Sequence, residues 1–176
     1  MKMLVMLGSS ALALLTAAGV ALAQPAAPAR PAGPPPPPAR GPSLALALEA
    51  AQTAIATCSA NGYKVGAVVV DSAGTSRLVL VADGASSMTG EFAFRKAFTA
   101  NAMKATSASV GEKAKTDKAL ADKIAADPKM ITWAGGQPLM AGGEVIGAIG
   151  VGGAPGGDKD DACVDAGIAK IKDRLK

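Results

Sequence analysis

The chain contains no histidine. That excludes a serine or cysteine nucleophile activated by an imidazole base. Cysteine is scarce too, with two in 176 residues, and two thiolates alone do not complete a tetrahedral zinc site. Aromatic residues make up 3% of the chain, as three Phe, one Tyr and one Trp. That is too few for the stacking platforms that hold single-stranded nucleic acid. Blocks of basic charge are missing as well: the formal +4 includes Lys2, Arg30 and Arg40, and beyond residue 42 Lys/Arg exceed Asp/Glu by one. Without an electropositive footprint, nucleic acid is not an expected partner. The paired glycines follow no fixed period, so no repeat array is indicated. No cysteine lies near residue 24, which excludes a lipid-modified N-terminus.

What is present divides the chain in three. Residues 1–23 read as a secretory signal, with Lys2 as the basic start, an apolar run from Met3 to Val20, and Ala21-Leu22-Ala23 as a small-x-small cleavage site before Gln24. An uncleaved anchor is the alternative, since about 20 apolar residues can span a bilayer. Ser9, Ser10, Thr16 and Gly19 argue against it, and no stable membrane insertion is expected after cleavage. Residues 24–42 hold nine of the twelve prolines and read as a disordered, polyproline-type tether. Residues 43–176 are long enough for one domain. Export to a periplasmic or extracellular location would put Cys58 and Cys163 in an oxidising compartment. That favours a disulfide pinning the first helix to the last, over the alternative of two small buried thiols.

Within the domain, Ser43 is a good N-cap, and Leu44, Leu48, Ala51, Ile55 and Cys58 recur at helical spacing up to a stop at Asn61-Gly62. Val65 to Val70 is β-branched and continuous, as in a central strand covered on both faces. Asp71 to Thr75 turns, with Gly74 supplying a positive φ, and Arg77 to Val81 returns antiparallel. A helix is expected over residues 91–104. A second, solvated helix is expected over residues 110–126 behind a Ser109-x-x-Glu112 capping box, ending at Asp127-Pro128. Strands over 137–141 and 144–151 flank Gly142-Gly143, a two-residue hairpin signal. A last helix begins at the acidic run 158–161 and turns Val164, Ile168, Ile171 and Leu175 inward. Hairpins separated by helices imply one antiparallel sheet with the terminal helices on one face.

Few residues carry chemistry in this pattern. The segment from Gly150 to Gly153 is like a phosphate loop but lacks a following Lys-Ser/Thr, so tight turns explain it better. Asp160-Asp161 at a helix start fits dipole stabilisation. Glu91 and Arg95 are spaced for an i,i+4 pair on a solvated face, against which stands a ligand role for Arg95 and Lys96. Met88, Met103, Met130 and Met140 suit gap filling in the core. With Tyr63 and the two cysteines they are also the candidate side chains for haem iron or copper.

Three stretches, VGAVVVDSAGTSRLVLVADGA, FAFRKAFTANAMKA and WAGGQPLMAGGEVIGAIGVGGAPGGDKDDACVDAGI, resemble in content and order the GlcG/HbpS-like haem-binding domain family, over nearly all of residues 43–176. The resemblance implies a profilin-like α/β sandwich, an α+β fold with one antiparallel sheet of about five strands and flanking helices. It also implies assembly into homo-oligomers, with haem as cofactor or substrate. By position it assigns ligand binding to Asp83, Arg95, Lys96, Gly135, Gly136, Gly152 and Gly153, with Arg95 and Lys96 pairing with propionates. No catalytic residue is assigned, and the metal ligand is unknown. The expected function is an exported binding module for haem or a similar tetrapyrrole, without robust catalysis. The alternatives are an oligomeric structural or sensory protein with an envelope partner, and an enzyme acting on a small organic ligand.

Overall fold

The computed structural model describes residues 38–176; the signal segment and most of the Pro-rich stretch lie outside the described residues. The order is α1 (Leu44–Ala60), β1 (Gly66–Asp71), β2 (Ser76–Val81), α2 (Thr89–Met103), α3 (Ser107–Ala114), α4 (Lys118–Ala126), β3 (Gly136–Ala141), β4 (Glu144–Gly152) and α5 (Gly157–Ile171), closed by a 3-10 turn over Lys172–Arg174. The sheet is antiparallel with strand order β2-β1-β4-β3. It has four strands among the described residues, where the family resemblance implied about five.

The Val-rich run of β1 is buried at every position because both faces of this inner strand are covered. Ala67 and Val69 meet Ile149, Val151 and Leu139 under α1 and α5, while Val68 and Val70 join Ala148 beneath Ala93, Ala97 and Ala100 of α2. The hairpin turns use the expected residues, with Gly74 at φ 77°, Gly142 at 57° and Gly143 at 81°. Asp71 secures the first turn, its Oδ1 accepting from the backbone N–H groups of Ala73 and Thr75, both at 3.0 Å.

Two helices differ from the sequence expectation. The expected stripe of α1 is its buried face only in part: Ala51 and Cys58 are buried and Ile55 packs against the core, but Leu44 is exposed and Ala47, Ala50 and Ala54 complete the buried face. Alanines win because α1 and α5 approach closely, so that a Cβ at Gly167 would lie 2.6 Å from the carbonyl oxygen of Ala50. The expected helix over 110–126 is two helices. Thr106 rather than Ser109 caps α3, accepting from Ser109 N at 3.2 Å, and Asp117 caps α4, accepting from Leu120 N at 3.0 Å. Aspartate caps better than it continues a helix, so the chain breaks there.

Cys58 of α1 and Cys163 of α5 form a disulfide, with Cα atoms 5.6 Å apart. Order extends to the N-terminal side of Ser43: Arg40 N donates to Ser72 Oγ at 2.9 Å, Ser72 N donates to Arg40 O at 2.8 Å, and the Arg40 guanidinium pairs with Glu144. No helix among the described residues is long and apolar enough to cross a membrane.

On its other face, the sheet meets α2 through small residues. A Cβ at Gly150 would lie 2.1 Å from Ala93 O, and one at Gly136 would lie 2.3 Å from Lys96 O. Backbone lies on backbone here, and neither glycine has room for a side chain. This contact brings the middle of α2 down onto the ends of β3 and β4, where the site lies.

Candidate functional site

A cleft of about 370 Å³ opens between α2, the loop before β3, and the β4–α5 connection; it is lined by Phe92, Lys96, Trp133, Gly153, Ala154, Gly156, Gly157 and Asp160. Its volume falls at the lower end of the range for small-molecule sites. Along α2, Phe92 and Lys96 are four residues apart, which puts them on one side of the helix.

Trp133 is 56% exposed, but the segment that carries it is fixed by side-chain bonds. Arg95 Nη2 donates to Met130 O at 2.9 Å, and Ile131 N donates to Thr99 Oγ1 at 2.9 Å. Ser107 Oγ donates to Trp133 O at 2.7 Å and accepts from Gly136 N at 3.0 Å. The indole sits beside Phe92, with ring centroids 5.3 Å apart and planes tilted by 54°. The rest of the lining is largely backbone: Gly153 at φ 123° and Gly156 at φ 134° lead into the first turn of α5.

At the base lies a buried ion pair. Lys96 Nζ donates to Asp160 Oδ2 at 2.6 Å, and both side chains are 3% exposed. Asp160 Oδ1 accepts from Ala154 N at 3.0 Å, and the neighbouring Asp161 accepts from Gly135 N at 2.7 Å. Burial pushes the Asp160 carboxyl above its ordinary value of 3.8, outweighing the hydrogen bond and the charge of Lys96; the N–H of Ala154 also lowers it, and the charge of Asp161 adds to the rise. The backbone is shaped around this pair. A Cβ at Gly135, where φ is 111°, would lie 2.6 Å from Asp160 Cβ and 2.9 Å from Lys96 Nζ.

Of the residues singled out from sequence, Lys96 and Gly153 line the cleft. Gly135 and Gly136 pack directly behind Lys96, and a Cβ at Gly152 would lie 3.0 Å from both Ala93 N and Phe92 Cβ. Arg95 does not line the cleft; it bonds to Met130 O, and no pair with Glu91 forms. Asp83 sits exposed in the turn after β2 and is not among the lining residues. Lys96 is not on a solvated face, and its charge is already engaged by Asp160.

Sequence reasoning missed Phe92, Trp133 and Asp160. For Asp160 a signal existed: the buried stripe of α5, Ile171, Gly167, Val164 and Cys163, continued back by three or four residues, lands on it.

The residues present suit a flat, largely apolar body against the Phe92–Trp133 wall, but they do not suit ligation of haem iron. Cys58 and Cys163 are spent on each other, and Tyr63, Met88, Met103, Met130 and Met140 do not line the cleft. No group of three His, Cys, Asp or Glu side chains that could hold a metal ion occurs among the described residues.

Residues 43–169 match the family model of the HbpS-like haem-degrading proteins. Among solved structures, a double mutant of HbpS from Streptomyces reticuli is 33% identical, with 83% of this chain and 97% of that chain covered and a TM-score of 0.69. A PduOC complex with haem is 24% identical over 74% of this chain and 95% of that one, with a TM-score of 0.68. The ORFY protein of Klebsiella pneumoniae is 20% identical over 82% and 99%, with a TM-score of 0.71. At under 25% identity the last two speak for the fold alone. No curated protein matches the sequence significantly.

Proposed function

Since this chain belongs to the HbpS-like family of haem-degrading proteins, we propose that its cleft binds a tetrapyrrole of the haem type, as an exported binding module rather than a robust catalyst. The observation that carries this reading is the half-exposed Trp133 held beside Phe92 in a cleft otherwise lined largely by glycine backbone. A planar ligand would remove both rings from water, and the glycines that line the cleft let it approach to backbone distance. Of the binding residues suggested by the resemblance, Lys96 and Gly153 touch the ligand in this reading, and Gly135, Gly136 and Gly152 set the shape behind them. Propionates project toward solvent, because the Lys96 charge is occupied and Arg95 is turned away.

Titration with hemin, followed by the Soret band, tests the site. Trp133→Ala and Phe92→Ala are each expected to weaken binding by about tenfold, the equivalent of roughly 1.4 kcal/mol. Unchanged affinity in both variants would remove the cleft from consideration. A bound Soret band that decays steadily with reductant present would instead make the cleft a site of degradation.

Export and self-assembly belong to the same proposal. The Cys58–Cys163 disulfide suits an oxidising compartment, and with it a signal over residues 1–23 and a tether that ends before Arg40, which is bonded to the domain. Edge strand β2 leaves Val79 and Val81 half exposed near an exposed Met88, a patch suited to a second copy of the chain. Mass spectrometry of the secreted protein under native conditions should give a multiple of a chain that starts at Gln24. A monomer beginning at Met1 would overturn both readings.

A further inference from the structure

The cleft holds a flat ring well and a metal badly, and the contrast has a specific cause. Protein side chains that ligate haem iron are imidazole, thiolate, thioether and phenolate, and none of these lines the cleft among the described residues. The polar side-chain atoms there are the Lys96 ammonium, the Asp160 carboxylate and the Trp133 indole nitrogen. A charged ammonium and an indole N–H donate hydrogen bonds but offer no lone pair. The carboxylate has lone pairs, but Oδ2 accepts from Lys96 and Oδ1 from Ala154 N, and burial already disfavours its charged form. Freeing it to ligate iron would leave Lys96 as an unpaired buried charge.

We infer that the cleft recognises the tetrapyrrole ring and not its metal, so that its ligand class includes iron-free and zinc-bearing tetrapyrroles bound about as tightly as haem. This inference rests on the proposed tetrapyrrole site. The attraction comes from ring area covered by Trp133, Phe92 and the Gly153–Gly157 backbone, and that area does not depend on what sits at the ring's centre.

The test uses the full-length protein and three probes: hemin, protoporphyrin IX and zinc protoporphyrin. Trp133 is the sole tryptophan, so quenching of its fluorescence reports all three on one scale. The expected result is dissociation constants within about threefold of one another, less than about 0.7 kcal/mol apart. Trp133→Ala, followed by porphyrin absorbance, should weaken all three by the same factor. Hemin bound tenfold or more tightly than protoporphyrin IX would overturn the inference and leave the haem-binding reading standing. Quenching by none of the three would overturn that reading, and this inference with it.

Discussion

Asp160→Asn should destabilise the domain by about 3 to 5 kcal/mol, the usual cost of removing one partner from a buried ion pair. Asparagine is nearly isosteric and can still accept from Ala154 N, so the loss isolates one event: the Lys96 ammonium, 3% exposed, is left without its counter-charge. Lys96→Met is expected to cost less. The carboxyl it leaves behind is already raised by burial and can take up a proton, which removes the unpaired charge. Lys96→Met combined with Asp160→Asn should recover most of the loss, because no charge then remains buried. Urea unfolding of the four proteins closes the cycle; additive single effects would mean that the pair contributes nothing as a pair.

The same carboxyl gives the stability curve a sign opposite to that of an exposed salt bridge. Its folded value lies above 3.8, so between these values the native state holds more protons than the unfolded chain. The proton-linked part of the Asp160 contribution is therefore complete below 3.8, falls as pH rises through this window, and is gone above the folded value, where the pairing with Lys96 remains. Subtracting the pH profile of Asp160→Asn from that of the parent should reveal a difference that declines with rising pH across the window.

Removing the disulfide should cost nearly as much. Cys58 and Cys163 are 105 residues apart in sequence, and in the chain-entropy account a closed loop of about 100 residues is worth about 4.7 kcal/mol through the unfolded state. Against a total stability of about 5 to 15 kcal/mol, Cys58→Ala with Cys163→Ala should leave a domain near the edge of folding. The native contacts change little, because α1 and α5 still meet through Ala50, Ala54 and Gly167. The midpoint measured with reductant and that of the double variant should agree with each other and lie well below that of the oxidised protein. A shift under about 1 kcal/mol would mean that the bridge does little to restrict the unfolded chain.

The sheet was legible because local chemistry decides it. Gly74 and Gly142-Gly143 supply positive φ where hairpins need it, and a continuous Val run tolerates only a doubly covered strand. The α1 face was legible only in part: leucine periodicity is a local signal, while the burial of Ala47, Ala50 and Ala54 depends on how near α5 comes. The site divides in the same way. The family pattern draws attention to Lys96 and Gly153, yet the partner that consumes the lysine's charge is 64 residues away. Asp160 looked like an ordinary residue of an acidic helix start because three aspartates crowd that turn, and only the fold separates the buried one from its exposed neighbour Asp158. Trp133 lies in a loop with no periodicity, where no pattern could aim it.

The bridge between α1 and α5 also makes most of the domain a covalent ring. All four strands, α2 to α4 and every residue lining the cleft lie between positions 58 and 163. A protease that cuts one loop of the ring opens it without releasing a fragment. The nicked protein keeps its full mass until a reductant is added, and both cut ends stay tethered beside the contacts they came from. A single cleavage in the ring is damage that the fold can survive with its cleft still assembled.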